Sequence, residues 1–355
     1  MRTWQLDRLG GQLQLVETAI PEARAGTVVL RLEASVLMSY IASYVAGKLP
    51  FYDPPAGPFT IGSNGVFTIH AVGRDVWHLR PGQRVILSSH LVAQENVAEP
   101  SQLLLGVTAL GDKPIQRDFP DGVLADVAVV PKQLVTPLDG LDHLGAAQLA
   151  TAIRFSVPYG GWLRGRLAAG DTALVTGATG SYGGAAVLLA LALGAGRVVA
   201  AGRDPAALAA LAALARDRRV VPVRLTGERA ADTAALRTAA GGGADVALDL
   251  VGTAGDPNAP LAALHALRRN GRLVVMGSAT VPIPVDYMAL LLNNWELLGQ
   301  FMYPGDAYRR LFDLVRAGLL DLAAIAPHCY PLAELPAAMA AAAEVGSLAC
   351  VVMTP

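Results

Sequence analysis

The chain has 355 residues, 53 % of them hydrophobic, and a formal net charge of −1. This length exceeds the usual size of one domain, so more than one domain is predicted. The nearly neutral charge argues against a nucleic-acid or anionic-membrane partner, and no apolar run reaches the about 18 residues of a membrane span. The first residues lack a signal-peptide core, and Cys329 and Cys350 are the sole cysteines. We therefore expect a cytoplasmic protein with no membrane partner, no nucleic-acid partner and no disulfide framework.

Up to about residue 135 the chain reads as short strands separated by Gly and Pro. Strands are predicted at 13–16, 27–32, 66–71, 84–87 and 123–130, and the stretch 99–120 is predicted to be a loop. From about residue 145 β-type and helical runs alternate, which indicates a parallel sheet covered by helices on both faces. Its strands are predicted at 173–175, 198–201, 220–223, 246–249, 272–276 and 297–302. Helices at 308–318 and 335–345 and a short strand at 349–353 complete the chain.

A glycine-rich turn at residues 176–183, Thr-Gly-Ala-Thr-Gly-Ser-Tyr-Gly, follows the first of these strands and opens a helical run. Glycines such as Gly177 and Gly180 permit a tight turn and close backbone approach to a ligand. A dinucleotide pyrophosphate would sit at the helix N-terminus. Ser181, Tyr182 and Gly183 are expected to present backbone N–H groups to it.

The end of the next strand distinguishes NADPH from NADH. NAD sites place an acidic residue there for the ribose hydroxyls, whereas an Arg takes the 2′-phosphate of NADP. Here the sequence is Gly202, Arg203, Asp204. Asp204 precedes Pro205 and a helical run, as an N-cap residue does. We therefore predict NADPH, with Gly202 and Arg203 at the adenosine ribose; in the alternative, Asp204 binds the ribose of NADH.

Nearly the whole chain resembles the medium-chain dehydrogenase/reductase superfamily. The resemblance rests on the order and spacing of several pieces, which are 61–66 (Ile-Gly-Ser-Asn-Gly-Val), 72–73, 79–85, 169–171, the glycine turn, 244–252 and 270–274. It implies an α/β fold with a GroES-like β domain at 1–147, a Rossmann doubly wound parallel sheet at 148–303 that binds NADP(H), and a return to the first domain at 304–355. The active site would lie between the domains.

The resemblance also implies further cofactor contacts. Thr151 matches a family position at the nicotinamide face. Val251, Gly252, Gly277 and Ser278 follow two parallel strands at their carboxyl ends, where such sheets bind ligands. These residues are expected around the nicotinamide and its ribose, although Gly252 and Gly277 also suit plain turns.

Three positions depart from the zinc enzymes of the superfamily, which carry a Cys ligand in the segment 34–40 and Gly-His-Glu at 62–64. This chain has Met38, Ser63 and Asn64 there. A catalytic zinc needs three good N, S or O donors, so no metal site is predicted. The chain looks most similar to the zinc-free quinone oxidoreductase and enoyl reductase branch.

Without a Lewis acid, the easier reaction is hydride delivery to an activated acceptor, a small hydrophobic α,β-unsaturated carbonyl compound or quinone. The resulting oxyanion needs hydrogen-bond donors and a proton. Tyr40 is the predicted proton donor and Asn64 the predicted orienting group. In the alternative, Tyr40 packs the cleft wall, as Tyr44 and Tyr52 are expected to do, and Asn64 bonds within the turn from Gly62 to Gly65.

Two other functions stay open at this point. One is metal-free interconversion of alcohols and carbonyl compounds, and the other is NADPH binding without catalysis. The apolar strand at 297–302 is expected to pair across a two-fold axis in a homodimer, because an apolar edge strand needs cover; a loop of the same chain is the alternative cover.

Overall fold

A computed structural model describes residues 1–49, 52–109, 113–252 and 254–355. The first part of the chain is mostly strand. Its elements are β1 (Arg2–Leu6), β2 (Leu13–Glu17), β3 (Thr27–Val36), α1 (Ile41–Val45), β4 (Phe59–Thr60), β5 (Gly65–Val72), β6 (Arg84–Leu87), β7 (His90–Val92), β8 (Gln102–Leu104), β9 (Thr108–Ala109), α2 (Lys113–Asp118), β10 (Val127–Pro131) and β11 (Val135–Pro137).

The predicted loop at 99–120 holds the short elements β8, β9 and α2, with 110–112 outside the described residues. Leu103 and Leu105 are buried there, and β8 pairs with both β7 and β9. Elements this short carry too few residues for a visible period, so burial by the surrounding fold determines them. The strand predicted at 123–130 begins later, at Val127.

The second part alternates helix and strand. Its elements are α3 (Ala146–Ala150), α4 (Ile153–Arg164), β12 (Thr172–Thr176), α5 (Gly183–Ala192), β13 (Arg197–Gly202), α6 (Pro205–Ala215), β14 (Val220–Arg224), α7 (Arg229–Ala239), β15 (Ala244–Asp249), α8 (Asn258–His265), β16 (Leu267–Val275), α9 (Tyr287–Asn293), β17 (Glu296–Gly299), α10 (Ala307–Arg316), β18 (Ala326–Pro331), α11 (Leu335–Glu344) and β19 (Ala349–Thr354). No helix of the described ranges is long and apolar enough to cross a membrane.

Six parallel strands of the second part form one sheet in the order β14-β13-β12-β15-β16-β17. The order reverses between β12 and β15, as in a doubly wound dinucleotide-binding sheet. Each residue of β15 is buried, as expected for a strand with helices on both faces. The predicted α/β class is therefore confirmed. Strand β17 ends at Gly299 instead of 302 because its partner β16 ends at Val275.

The largest sheet of the first part has the order β11-β6-β5-β3-β19-β18, and β10 also pairs with β3. Strand β19 pairs antiparallel with β3, with Val352 opposite Val36 and Met353 opposite Ser35. The end of the chain thus lies in the first sheet. This return brings β19 next to the segment that follows β3, where Met38 and Tyr40 lie.

Candidate active site and cofactor cleft

The glycine turn connects β12 to α5. Gly177 has a φ of +74°, and a Cβ there would come within 3.0 Å of the Leu250 carbonyl. A Cβ at Gly183 would lie 2.0 Å from the Gly177 oxygen. Both positions require glycine. The N–H of Gly183 donates to the Gly180 oxygen at 3.1 Å within the turn, and its contact with a pyrophosphate stays a prediction.

The N-terminus of α5 is the part of the turn suited to an anion. Tyr182 is the N-cap residue, and its side chain makes no capping hydrogen bond. N–H groups of a first helical turn lack intrahelical acceptors and favour negative charge. A pyrophosphate fits this end of the turn, beside Ser181 and Tyr182.

A cleft of about 440 Å³ lies along the carboxyl ends of the sheet strands. Among the predicted cofactor residues, its lining includes Gly177, Gly180, Gly202, Arg203, Val251 and Gly252. These residues follow β12, β13 and β15, so the cleft lies at the point where the strand order reverses. Ligands of doubly wound sheets bind at this place.

The strand end at β13 has no acidic side chain facing the cleft. A Cβ at Gly202 would come within 2.8 Å of the Thr179 methyl group, so a larger residue is excluded there. Arg203 is exposed and lines the cleft. The Asp204 carboxylate accepts hydrogen bonds of 2.8 and 3.2 Å from the first turn of α6. The N-cap prediction for Asp204 is therefore confirmed.

Arg224 is an exposed cation at the end of β14 that the sequence did not single out. It is exposed, ends β14 and is paired in register with Gly202. Residues paired in parallel strands face the same side of the sheet, and the missing Cβ of Gly202 would point at Thr179 of the glycine turn. Arg224 therefore extends on the side of the turn, where a second cation can meet a 2′-phosphate. Only the strand register reveals this.

The predicted residues after β15 and β16 pack against each other. A Cβ at Gly277 would lie 2.1 Å from the Val251 oxygen, and the N–H of Ser278 donates to the same oxygen at 3.1 Å. Gly252 has no atom close to its missing Cβ. The close approach of Gly277 to Val251 joins the two loops that follow β15 and β16, and Gly252 leaves room beside them.

Asp249, the last residue of β15, is a buried carboxyl group next to this edge. It accepts hydrogen bonds from the Thr176 hydroxyl and from the N–H of Val251. Burial raises the pKa of Asp249 to about 6, against the opposing effect of those two donors. The residue links β12 to β15 below the cleft.

Two predicted site residues have their polar groups engaged within the protein. The Thr151 hydroxyl donates to the Gln148 oxygen at 2.8 Å, and its contact with a nicotinamide stays a prediction. Asn64 is 1 % exposed; its Oδ1 accepts from the Val36 N–H at 3.2 Å and its Nδ2 donates to the Val36 oxygen at 3.1 Å. The carboxamide thus holds its segment to β3, and the substrate-orienting role of Asn64 stays a prediction that these bonds do not support.

Three tyrosines of one segment form a cluster. The ring centroids of Tyr40 and Tyr52 lie 6.2 Å apart, and those of Tyr44 and Tyr52 lie 5.4 Å apart. Tyr44 is buried and its hydroxyl has no hydrogen-bond partner, as expected of a wall residue. Burial, followed by the neighbouring Tyr182 and Tyr52, raises the pKa of Tyr40 well above its ordinary value. Tyr40 is therefore a phenol that stays protonated.

The turn and the tyrosine segment meet directly. The Tyr182 hydroxyl donates to the Met38 sulfur at 3.4 Å, and the Ser181 hydroxyl donates to Ser39 Oγ at 3.4 Å. Burial raises the pKa of Tyr182 to about 12, and the Arg154 cation partly offsets this rise. The glycine turn thus contacts the segment that carries Tyr40, the predicted proton donor.

The positions at which the resemblance places zinc ligands do not fit the metal. The Met38 sulfur accepts from Tyr182, the Asn64 carboxamide is bonded to Val36, and Ser63 is buried. A thioether, a neutral amide and a hydroxyl are weak zinc donors. Across the described ranges, no three His, Cys, Asp or Glu side chains come together as a metal site would need.

Two family models match the chain. The alcohol dehydrogenase GroES-like domain matches residues 24–140, and the zinc-binding dehydrogenase model matches residues 182–317. The first domain is therefore GroES-like, as predicted. The two matches lie on the two parts of the chain that build the two large sheets.

The curated relatives of the chain have low sequence identity to it. L-arabinitol 4-dehydrogenase of Penicillium rubens is 26% identical over 290 residues, which cover 78% of this chain and 71% of the relative. Quinone oxidoreductase-like protein 2 of Mus musculus is 29% identical over 266 residues, which cover 73% of this chain and 64% of the relative. The alcohol dehydrogenase TADH from Thermus sp. ATN1 has the same fold, with a TM-score of 0.82 at 21% identity over 100% of this chain and 99% of that one.

Proposed function

From the matches to two dehydrogenase family models, we infer that the chain is an oxidoreductase of the medium-chain dehydrogenase/reductase superfamily, and that it reduces an activated acceptor with NADPH and without zinc. The acceptor is an α,β-unsaturated carbonyl compound or a quinone. The observation that carries this proposal is the donor set at the zinc positions, where the Met38 sulfur and the Asn64 carboxamide are already bonded within the protein. Polarising a simple carbonyl group would need a Lewis acid or a substitute for it.

The charges at the end of β13 support NADPH over NADH. Gly202 leaves no acidic side chain for the ribose hydroxyls, and Asp204 caps α6. Arg203 lines the cleft, and Arg224 lies in register with Gly202 on the next strand. Two guanidinium groups at this edge match a 2′-phosphate.

Tyr40 is the proposed proton donor of the reaction. When bound, NADPH supplies a hydride for the β-carbon of the acceptor. The raised pKa of Tyr40 keeps its phenol protonated, so it donates a hydrogen bond to the developing oxyanion and then its proton to the α-carbon. With an enone, one C=C bond is consumed, two C–H bonds form, and solvent returns a proton to Tyr40; with a quinone, Tyr40 protonates an oxygen and the product is the hydroquinone. The contact between Met38 and Tyr182 holds the Tyr40 segment beside the cofactor turn.

Metal-free oxidation of an alcohol or polyol is the second candidate. The similarity to L-arabinitol 4-dehydrogenase favours it. In this reaction Tyr40 would polarise the carbonyl oxygen in place of a metal ion. A phenol held in a cluster of tyrosines is a suitable donor for that task as well.

A homodimer is the proposed assembly. Strand β17 lies at the edge of the parallel sheet, and the preceding α9 exposes apolar side chains beside it. Tyr287 is 75% and Leu291 is 53% exposed, with Met288 and Leu292 also exposed. A second copy paired along β17 would cover this face.

NADPH oxidation by chelator-treated protein tests the reaction, with cyclohexenone and cyclohexanone as a matched pair. Turnover of cyclohexenone alone is expected. Turnover of cyclohexanone, or of cyclohexanol with NADP⁺, would favour the second candidate. Activity that disappears with the chelator and returns with zinc would refute the metal-free proposal. Bound NADPH without turnover of any acceptor would favour a non-catalytic NADPH-binding protein.

A further inference from the structure

Arg154, the second residue of α4, is a buried cation with incomplete partners. It is 4 % exposed. Its Nη2 donates to the Ala349 oxygen at 3.3 Å and its guanidinium lies beside the Cys350 thiol, whereas its Nε is buried without a hydrogen-bond partner. None of the ion pairs found in the described part of the chain includes Arg154. A guanidinium group out of water is strongly unfavourable without an anion.

Arg154 lies next to the contact between the cofactor turn and the tyrosine segment. Its Cζ lies 5.9 Å from the centre of the Tyr182 ring, and the hydroxyl of that ring contacts Met38. Tyr182 and Met38 are partly exposed, as is Tyr40. A ligand that enters between the cofactor turn and the tyrosine segment would therefore meet the guanidinium beside Tyr182.

We propose that Arg154 binds a carboxylate group of the acceptor, so that the substrate is an acidic enone. This inference rests on the proposed function. A guanidinium group offers a fork of N–H donors that matches the two oxygens of a carboxylate. The free Nε belongs to that fork, and a carboxylate would supply both the missing acceptor and the missing negative charge.

The phosphates of the cofactor are the other source of an anion, and the geometry favours the substrate. The N-terminus of α5 suits the pyrophosphate, and Arg203 and Arg224 lie at the ends of β13 and β14, where the 2′-phosphate is proposed to bind. Arg154 instead contacts Ala349 of β19, a strand of the first-domain sheet. Its anion thus lies where the first domain faces the cofactor turn.

Calorimetric titration of the NADP⁺-loaded protein with 4-oxopentanoate and with its methyl ester tests the site. The acid is expected to bind about tenfold or more tightly than the ester. Arg154→Met is expected to abolish this preference, Arg154→Lys to retain part of it, and neither to change the NADPH Kd more than about twofold. Arg164→Met is the matched control, because Arg164 is an exposed residue at the end of the same helix.

Two results would overturn the inference. One is equal affinity of the wild-type protein for the acid and the ester. This measurement does not depend on whether any variant folds. The other is an Arg154→Met protein that loses NADPH affinity but keeps the acid preference, which would assign the anion to the cofactor.

Turnover separates this inference from the proposed reaction. 4-Oxopentanoate has no C=C bond, so its binding does not depend on reduction. Acid preference in binding without turnover of 4-oxo-2-pentenoate would keep the Arg154 site and refute enone reduction. Turnover of neutral enones without a preference for the acid in binding would support enone reduction and refute the Arg154 site.

Discussion

The Tyr182 hydroxyl donates to the Met38 sulfur at 3.4 Å, which joins the helix after the cofactor turn to the segment after β3. Tyr40 lies two residues beyond Met38, and Tyr182 contributes to the raised pKa of Tyr40. The contact thus brings the predicted cofactor-binding turn and the predicted proton donor to one wall. Residues far apart in the chain meet there, and they would form the proposed reaction site.

Tyr40→Phe is expected to lower kcat for enone reduction by about 10²-fold or more, because the variant lacks the proton donor. The phenyl ring keeps the contacts of the cluster, so the NADPH Kd should stay within about twofold. Steady-state kinetics together with fluorescence titration of NADPH measure both quantities.

Tyr44→Phe is the control for that experiment. The Tyr44 hydroxyl is buried without a partner, so its removal should leave kcat unchanged and stability equal or slightly higher. An equal loss of kcat in the two variants would assign the effect of Tyr40→Phe to packing.

Arg203→Ala and Arg224→Ala are each expected to weaken NADPH binding by about ten- to a hundredfold, because each removes a charge-assisted contact to the 2′-phosphate. NADH binding should change little. Arg218→Ala, at an exposed site on the turn before β14, is the control. Equal weakening of NADH and NADPH would contradict the 2′-phosphate assignment.

Asp249 is expected to make stability decrease as the pH rises from about 4 to 6. Its folded-state pKa of about 6 exceeds the ordinary 3.8, so across this window the folded protein binds more protons than the unfolded chain. In Asp249→Asn this decrease should be smaller: the loss in the free energy of unfolding between pH about 4 and 6 should be about 2–3 kcal/mol less than in the wild-type protein.

Urea unfolding at several pH values measures this dependence. Asp142→Asn, which alters an exposed carboxyl group, should keep the wild-type slope. If Asp249→Asn kept the same slope as well, another group would control this pH range.

Leu291→Glu is expected to convert the proposed dimer to a monomer, since a charge would be buried in the apolar face of α9. Light scattering after gel filtration measures the mass. Leu214→Glu alters an exposed leucine on α6 and should not change it. A wild-type monomer would refute the dimer.

Local signals in the sequence predicted the glycine turn and the cap of α6. The glycine turn between a strand and a helix, and Asp204 before Pro205, are short patterns whose geometry depends on adjacent residues. The structure has a turn with positive φ at Gly177 and a carboxylate cap on α6 at these places. Alternation of strand and helix likewise indicated the doubly wound sheet, because helices that alternate with parallel strands cover both faces of the sheet, as the fully buried β15 shows.

The sequence by itself determined the α/β class, the glycine turn and the residue types at the zinc positions, since these follow from neighbouring residues or from chemistry. Tertiary structure alone decided which polar groups meet. Asn64 bonds to Val36, Arg224 lies beside Gly202, and Arg154 reaches Ala349. Such pairs depend on strand register and on packing between distant segments, and burial then makes each partner, or its absence, energetically decisive.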